Sequence, residues 1–419
     1  MDHFEYHNGV LHAESVPLPM IADQIGTPAY VYSRATLTRH ARVFRDALAI
    51  LPSVRIAFAV KSNPNLAVLK VLAAEGYGAD VVSGGELERA LAAGMTPDSV
   101  VFSGVGKTHA EMTRALQAGI GQFNLESLEE GLELAEIARG SGVIARCVLR
   151  INPDVDAGTH GKISTGKAEN KFGVPFDRAA AIYARLTAEP GLTMRGLALH
   201  IGSQLARLDP LEAAFTKLGG LMRVIRDAGH AVTHMDLGGG IGVPYKAGEV
   251  FPQPEDYAAM VARVAADWGV TLMFEPGRVI TGNTGVLLTR VIRVKEGAVH
   301  PWVVVDAAMN DLARPALYDA WHDFAAVAPN GTRMTANIVG PVCESSDTFA
   351  MARDIDDVAR GDLTVFRTAG AYGATMASTY NSRDMVPEVM VDGEQWAVVA
   401  DRIVPATILA AERVPDFLL

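Results

Sequence analysis

Four short stretches carry the residues whose chemistry stands out. In "RIAFAVKSNPN", Lys61 ends a nearly unbroken apolar run, and the polar turn Ser62 to Asn65 follows at once. An ammonium is costly to desolvate. Such a lysine either snorkels to solvent or sits where a lowered amine pKa makes it a nucleophile for Schiff-base formation. In "HMDLGGGIGVP", Gly238, Gly239 and Gly240 follow a second apolar run. They form a plain tight turn or bring backbone amides close to a phosphate; consecutive glycines are not the GxGxxG dinucleotide pattern. In "FEPGR", Glu275 can hold a ring nitrogen protonated while Gly277 and Arg278 bind phosphate or carboxylate, or it can serve a structural ion pair. His200 in "LALHIGSQ" offers a flat imidazole or a satisfied core histidine. Jointly, a Schiff-base amine, a phosphate cradle, a carboxylate for a ring nitrogen and a flat imidazole match what pyridoxal phosphate needs.

These residues need elements to hold them. Eight β-rich runs, "VRIAFAV", "ADVVS", "VVFSG", "QFNLE", "ARCVLRINP", "MRGLALHIG", "HMDLGGG" and "LMFEPGR", alternate with stretches of helical period between residues 35 and 280. Alternation requires parallel pairing, because each helix must carry the chain back across the sheet. Eight repeats predict a closed (β/α)8 TIM-type barrel, with an open doubly wound sheet as the alternative. Barrel chemistry sits at the C-terminal ends of the strands, here Lys61, Ser83, Ser103, Glu126, Asn152, His200, Gly238 to Gly240 and Glu275. Residues 281–419 read as a mainly β domain that the N-terminal segment, 1–34, joins. Asp392-Gly393 between two alternating runs is a hairpin signal.

Composition narrows the class. A chain of 419 residues exceeds what one hydrophobic core usually organises. A formal charge of -11 and a pI near 5.5 argue against nucleic acid or an anionic membrane as partner. No apolar run reaches the length of a membrane span, and the start carries no basic-then-apolar leader, so a cytoplasmic protein acting on small molecules is expected. Cys147 and Cys343 are too few for a disulfide framework or a metal cluster. Cys147, inside "ARCVLRI", reads as core.

Further motifs make a resemblance explicit: "NPDVDAGTHGKISTGKAENKFG", "DAAMNDLARPALYDAWH", "GPVCESSD" and "AGAYGATMASTYNSR", in this order with the four stretches above. The chain resembles the diaminopimelate decarboxylases, in the fold-type III group of pyridoxal-phosphate enzymes with ornithine and arginine decarboxylases and, more distantly, alanine racemase. The resemblance implies an alanine racemase-like barrel plus β domain, and decarboxylation of meso-2,6-diaminopimelate at its D-centre to L-lysine. It implies that Lys61 carries the cofactor, His200 stacks on its ring and Glu275 pairs with the ring nitrogen. Ser203, Gly239, Gly240, Pro276, Gly277, Arg278 and Tyr372 would surround the phosphate. Arg278, Arg314 and Tyr318 would hold the substrate's distal carboxylate, Glu344 its distal ammonium, with Tyr372 beside the substrate. Cys343 would be the proton donor. Cys343 and Glu344 would come from the other subunit, which implies a homodimer with a shared site. A decarboxylase of carboxynorspermidine, ornithine or arginine, and a non-catalytic cofactor carrier, are the alternatives. The proton donor and the distal-ammonium residue speak against a carrier.

Overall fold

The computed structural model describes residues 2–156 and 170–418. Residues 157–169, which hold most of the "NPDVDAGTHGKISTGKAENKFG" motif and the stretch from Thr159 toward Lys171, lie outside the described residues. Two compact units make up the chain: Thr38–Pro244 with Gly248–Ile280, and Met1–Leu37 with Tyr245–Ala247 and Thr281–Leu419.

The eight expected strands form the first unit: Val54–Ala59, Gly78–Val81, Val100–Phe102, Gln122–Leu125, Ala145–Asn152, Leu192–Ala198, His234–Asp236 and Thr271–Phe274. Each pairs in parallel with the next, and Thr271–Phe274 pairs back to Val54–Ala59 with Phe274 opposite Ile56. The sheet is therefore closed, and the open doubly wound alternative is set aside. After several of the strands, polar residues cap the helix that carries the chain back. Asn65 accepts from the Ala67 amide at the start of Leu66–Ala74, and Ser83 accepts from Glu86 at the start of Gly84–Ala92. Thr108 and Glu111 form a reciprocal capping box on His109–Ala118. Each such cap stabilises its helix by about 1 kcal/mol. Ser83, one of the expected polar strand ends, thus owes its type to capping. Helices bury one apolar stripe on the barrel, as Val68, Leu69 and Leu72 do at three- and four-residue spacing.

The second unit is mainly β. Its large sheet runs Thr348–Asp356, Arg333–Val339, Trp302–Val305, Gly285–Lys295, Ala29–Ser33, Glu388–Asp392 and Gln395–Ala400. The N-terminal strand Ala29–Ser33 sits inside this sheet, antiparallel to Gly285–Lys295 and parallel to Glu388–Asp392. Leu11, Ile21, Val31, Val286, Val365 and Val389 share one fully buried core. The expected hairpin forms one residue later than the Asp392-Gly393 pair itself. Asp392 opposes Gln395, and the two-residue loop is Gly393-Glu394 with Gly393 at φ +62°. Among the described residues, no helix is long and apolar enough to cross a membrane.

Candidate active site

Lys61 lies in the 3-10 turn Val60–Ser62, just past the strand Val54–Ala59. Asn63 Oδ1 accepts from the Asn65 amide at 3.1 Å, and Asn65 in turn caps the next helix. The "SNPN" segment therefore stops the strand and starts the helix within four residues. Lys61 Nζ stands 3.2 Å from Asp80 Oδ2; the lysine side chain is 40% exposed and the aspartate 0%. A buried carboxylate balances an amine that remains reachable.

That amine opens on a cavity of about 420 Å3, lined also by Ser103, Asn124, Arg150, His200 and Glu275. The volume is in the range of small-ligand sites. His200 Nδ1 accepts from the Gly239 amide at 3.3 Å. Burial, and then the charges of Lys61 and Arg150, hold its pKa well below the ordinary histidine value. The ring is thus neutral, with Nε2 carrying the proton. Arg150 Nη1 bonds Glu126 Oε1 at 2.7 Å, Glu126 Oε2 accepts from the Gly173 amide at 2.7 Å, and the guanidinium lies 4.9 Å from the Phe172 ring centre. This buried pair fixes one wall.

Glu275 sits among acids. Its Oε1 accepts from Asn124 Nδ2 at 3.1 Å and from Ser103 Oγ at 3.4 Å. Asp236 Oδ2 accepts from Gln122 Nε2 and Asn124 Nδ2, both at 3.1 Å, and Asp236 Oδ1 accepts from the Gly238 amide at 3.0 Å. Burial, and then the charges of Asp236 and Asp80, push the Glu275 carboxyl well above its ordinary pKa, and Asp236 is hydrogen-bonded to it. A bond between two carboxyls needs a proton, which the pair shares, since burial raises Asp236 as well. Asp80 Oδ1 is buried with no hydrogen-bond partner among the described residues. Acids crowded together, one with a buried oxygen lacking a hydrogen-bond partner among the described residues, suit a cation, and the protonated ring nitrogen of pyridoxal phosphate is one. The residues present fit that cofactor.

The remaining barrel residues border this cluster. Arg278 Nη2 donates to Ser203 Oγ at 3.2 Å. The Pro276 carbonyl accepts from the Ala59 amide at 3.0 Å, and a Cβ on Gly277 would lie 3.2 Å from the Cβ atoms of Ala59 and Ser62. "FEPGR" therefore packs directly on the Lys61 turn. A Cβ on Gly239 would fall 2.2 Å from the Glu275 carbonyl oxygen; one on Gly240, at φ +115°, would fall 2.5 Å from the Gly202 carbonyl oxygen. Close approach of neighbouring backbone demands these two glycines before any ligand does. Cys147 is buried in its strand, as expected, with its thiol pKa pushed up by burial.

The other unit holds the other expected residues. Arg314 and Tyr318 open and close the helix Arg314–Tyr318, with Arg314 buried. The "GPVCESSD" loop folds around its last residue. Asp347 Oδ1 accepts from the Met309 amide and Oδ2 from the Val342 amide, both at 2.7 Å, while the Asp347 amide donates to the Glu344 carbonyl at 3.0 Å. Cys343 and Glu344 project from it, both exposed. The hydroxyls of Ser346 at 2.5 Å and Tyr380 at 2.8 Å hold the Glu344 carboxyl below its ordinary pKa, so it is an anion at neutral pH. Tyr372 has φ +55°, a left-handed conformation uncommon outside glycine that its surroundings must impose.

Sequence reading passed over Asp80, Asp236, Asn124 and Asp347. The available signal was an acid set inside an apolar strand, Asp80 between Ala79 and Val81 and Asp236 before Leu237.

Comparison with known proteins follows the same line. Residues 34–282 match the family described as pyridoxal-dependent decarboxylase, pyridoxal binding domain. A diaminopimelate decarboxylase of Zymomonas mobilis is 51% identical over 404 residues, 95% of this chain and 96% of the relative. The chain belongs to the diaminopimelate decarboxylases. The Vibrio cholerae member is 49% identical, covering 99% of each chain. The crystal structure of the M. jannaschii diaminopimelate decarboxylase in co-complex with L-lysine superposes with a TM-score of 0.96 at 33% identity, over 100% of this chain and 99% of that one. A mainly β domain after an eight-stranded barrel is therefore the family architecture.

Proposed function

We propose that this protein decarboxylates meso-2,6-diaminopimelate at its D-centre, with pyridoxal phosphate as cofactor, releasing carbon dioxide and L-lysine in the last step of lysine synthesis. The observation that carries the reading is one cavity lined by Lys61, His200 and Glu275 in a chain of this family. When bound, pyridoxal phosphate draws off the electrons left on the substrate α-carbon as carbon dioxide departs. Lys61 would hold the cofactor, His200 would lay its uncharged ring on it, and Glu275 Oε would keep a proton at the ring nitrogen. Ser203, Gly239, Gly240, Pro276, Gly277, Arg278 and Tyr372 would bind its phosphate.

At the far end of the substrate, an ammonium and a carboxylate need partners of opposite sign. Anionic Glu344 suits the ammonium; Arg278 and Arg314, with Tyr318, suit the carboxylate, and Tyr372 would line the same site. Cys343 Sγ would deliver the proton that replaces the lost carboxylate. In the single chain, Cys343 and Glu344 are open to water. A donor for a carbanion must be shielded from bulk solvent, and a second subunit would provide that shield. We therefore read the enzyme as a cytoplasmic homodimer whose subunits exchange these two residues. The test is carbon dioxide release from meso-diaminopimelate, ornithine, arginine and carboxynorspermidine by the holoenzyme. Turnover confined to meso-diaminopimelate is expected, and comparable turnover of several substrates overturns the assignment.

A further inference from the structure

Arg314 is held in an unusual way. Its Nη1 lies 2.8 Å from Nε2 of His322, and His322 Nδ1 lies 2.9 Å from the carbonyl oxygen of Arg367. Both side chains are buried, Arg314 at 6% exposure and His322 at 1%. A guanidinium can only donate and a carbonyl can only accept. These two partners fix the imidazole in one state: Nδ1 carries the proton and donates to Arg367, and Nε2 is a bare acceptor facing Arg314. The guanidinium also lies 4.6 Å from the Tyr245 ring centre, and Tyr245 meets His322 edge-on at 5.3 Å. Two further cations stand close by. The neighbouring Trp321 ring carries Arg353 at 3.5 Å and Lys246 at 4.6 Å, and Arg353 Nη1 donates to the His322 carbonyl at 2.5 Å.

A carboxylate in place of His322 would orient Arg314 equally well and would cancel its charge. A neutral imidazole orients the guanidinium and leaves the charge intact. We propose that His322 is a positioning residue that aims a fully charged Arg314 at the carboxylate on the substrate's distal centre, an inference that rests on the role given to Arg314 above. It makes His322 a determinant of specificity for substrates and products bearing that carboxylate, with no contact of its own to the reacting atoms.

The two ring nitrogens allow the role in the site to be separated from a role in folding. In His322→Gln the amide oxygen can take the place of Nε2, keeping the acceptor for Arg314 and losing the bond to Arg367. In His322→Asn the amide nitrogen can take the place of Nδ1, keeping the bond to Arg367 and losing the acceptor. The holoenzyme variants, with Arg314→Gln beside them, are compared for meso-diaminopimelate KM and kcat, for competitive inhibition by L-lysine and by 1,5-diaminopentane, and for thermal midpoint. L-lysine retains the distal carboxylate and 1,5-diaminopentane lacks it. Loss of one hydrogen bond to a charged group predicts that His322→Asn raises the KM and the L-lysine inhibition constant about tenfold. The 1,5-diaminopentane constant and kcat should stay within about twofold on the same reasoning. His322→Gln should restore KM to within about threefold of the parent, even with a lower thermal midpoint. If Arg314→Gln weakens L-lysine and His322→Asn does not, or if both His322 variants lose affinity in step with their loss of stability, the positioning role is wrong. If Arg314→Gln itself leaves L-lysine binding unchanged, the role assigned to Arg314 fails first and takes this one with it.

Discussion

Lys61 and Glu275 show how one charge sets the state of its neighbours, and Glu86 carries the same logic into stability. Glu86 Oε2 accepts from the Val82 amide at 2.8 Å. Burial, and then the Asp80 charge, raise its pKa from 4.5 to about 7, against the pull of that amide and of Lys61. The folded state therefore binds a proton more tightly than the unfolded chain does. Stability from this group is complete below pH ~4.5 and is lost as pH rises to about 7. Asp311 in the other unit, also raised to about 7 by burial, acts in the same direction. Glu86→Gln keeps an acceptor for Val82 and cannot titrate. Its thermal midpoint should fall less steeply than the parent's between pH 5 and 7.5, by a few degrees over that range, with the Asp311 contribution remaining. Parallel midpoint curves for the two proteins would remove Glu86 as a source of the slope. Residues of this kind show why part of the site was hidden in the sequence. Lys61, His200 and Glu275 could be read because each ends an apolar run, where polarity has no packing excuse. Asp80, Asp236 and Asn124 lie inside strands, where a pattern reports burial and nothing about partners. His322 depends on a tautomer that only its two partners define.

At the scale of elements, the eight barrel strands were legible because each is short, apolar and closed by polar or glycine residues. Closure of the sheet was inferred from their number alone; its register was beyond reach, since the pairing of Phe274 with Ile56 joins residues far apart in the chain. Gly196 shows what register can require. The strand Leu192–Ala198 carries a bulge between Met194 and Gly196, and a Cβ on Gly196 would fall 1.7 Å from the His234 carbonyl oxygen of the adjacent strand. Neither backbone can yield without opening the barrel wall. Gly196→Ala should therefore lower unfolding free energy by about 3 kcal/mol or more. Gly140→Ala, at the end of the helix Leu128–Gly140 with nothing within 4 Å of the added carbon, should be neutral or stabilising by up to about 1 kcal/mol. Urea titration of the two variants checks the contrast, and equal midpoints would mean that the wall adjusts at little cost. The β unit was read less fully. Its N-terminal strand, Ala29–Ser33, was expected to join the domain, yet its place between Gly285–Lys295 and Glu388–Asp392 depends on strands contributed from over 250 residues away.

For the molecule as a whole, the proposed homodimer would have each subunit supply Cys343 as proton donor to the other's site. Lys61 belongs to the barrel unit and Cys343 to the β unit, so a variant at each can be paired against the other. Lys61→Ala alone should lose the visible absorption of covalently held pyridoxal phosphate together with its activity. Cys343→Ala should keep that absorption and lose most turnover. When the two variants are co-expressed with different tags and assort at random, half of the dimers are hybrids. With residues shared across the interface, each hybrid has one site combining intact Lys61 with the partner's intact thiol, and one site lacking both. About a quarter of parental activity should then return, and tandem affinity purification of the hybrid should raise it to about half. A thiol acting within its own subunit gives a different result, because every site in the hybrid then carries one defect and activity stays at the level of the separate variants. The outcome distinguishes a cavity completed by a second copy from one that each chain completes alone.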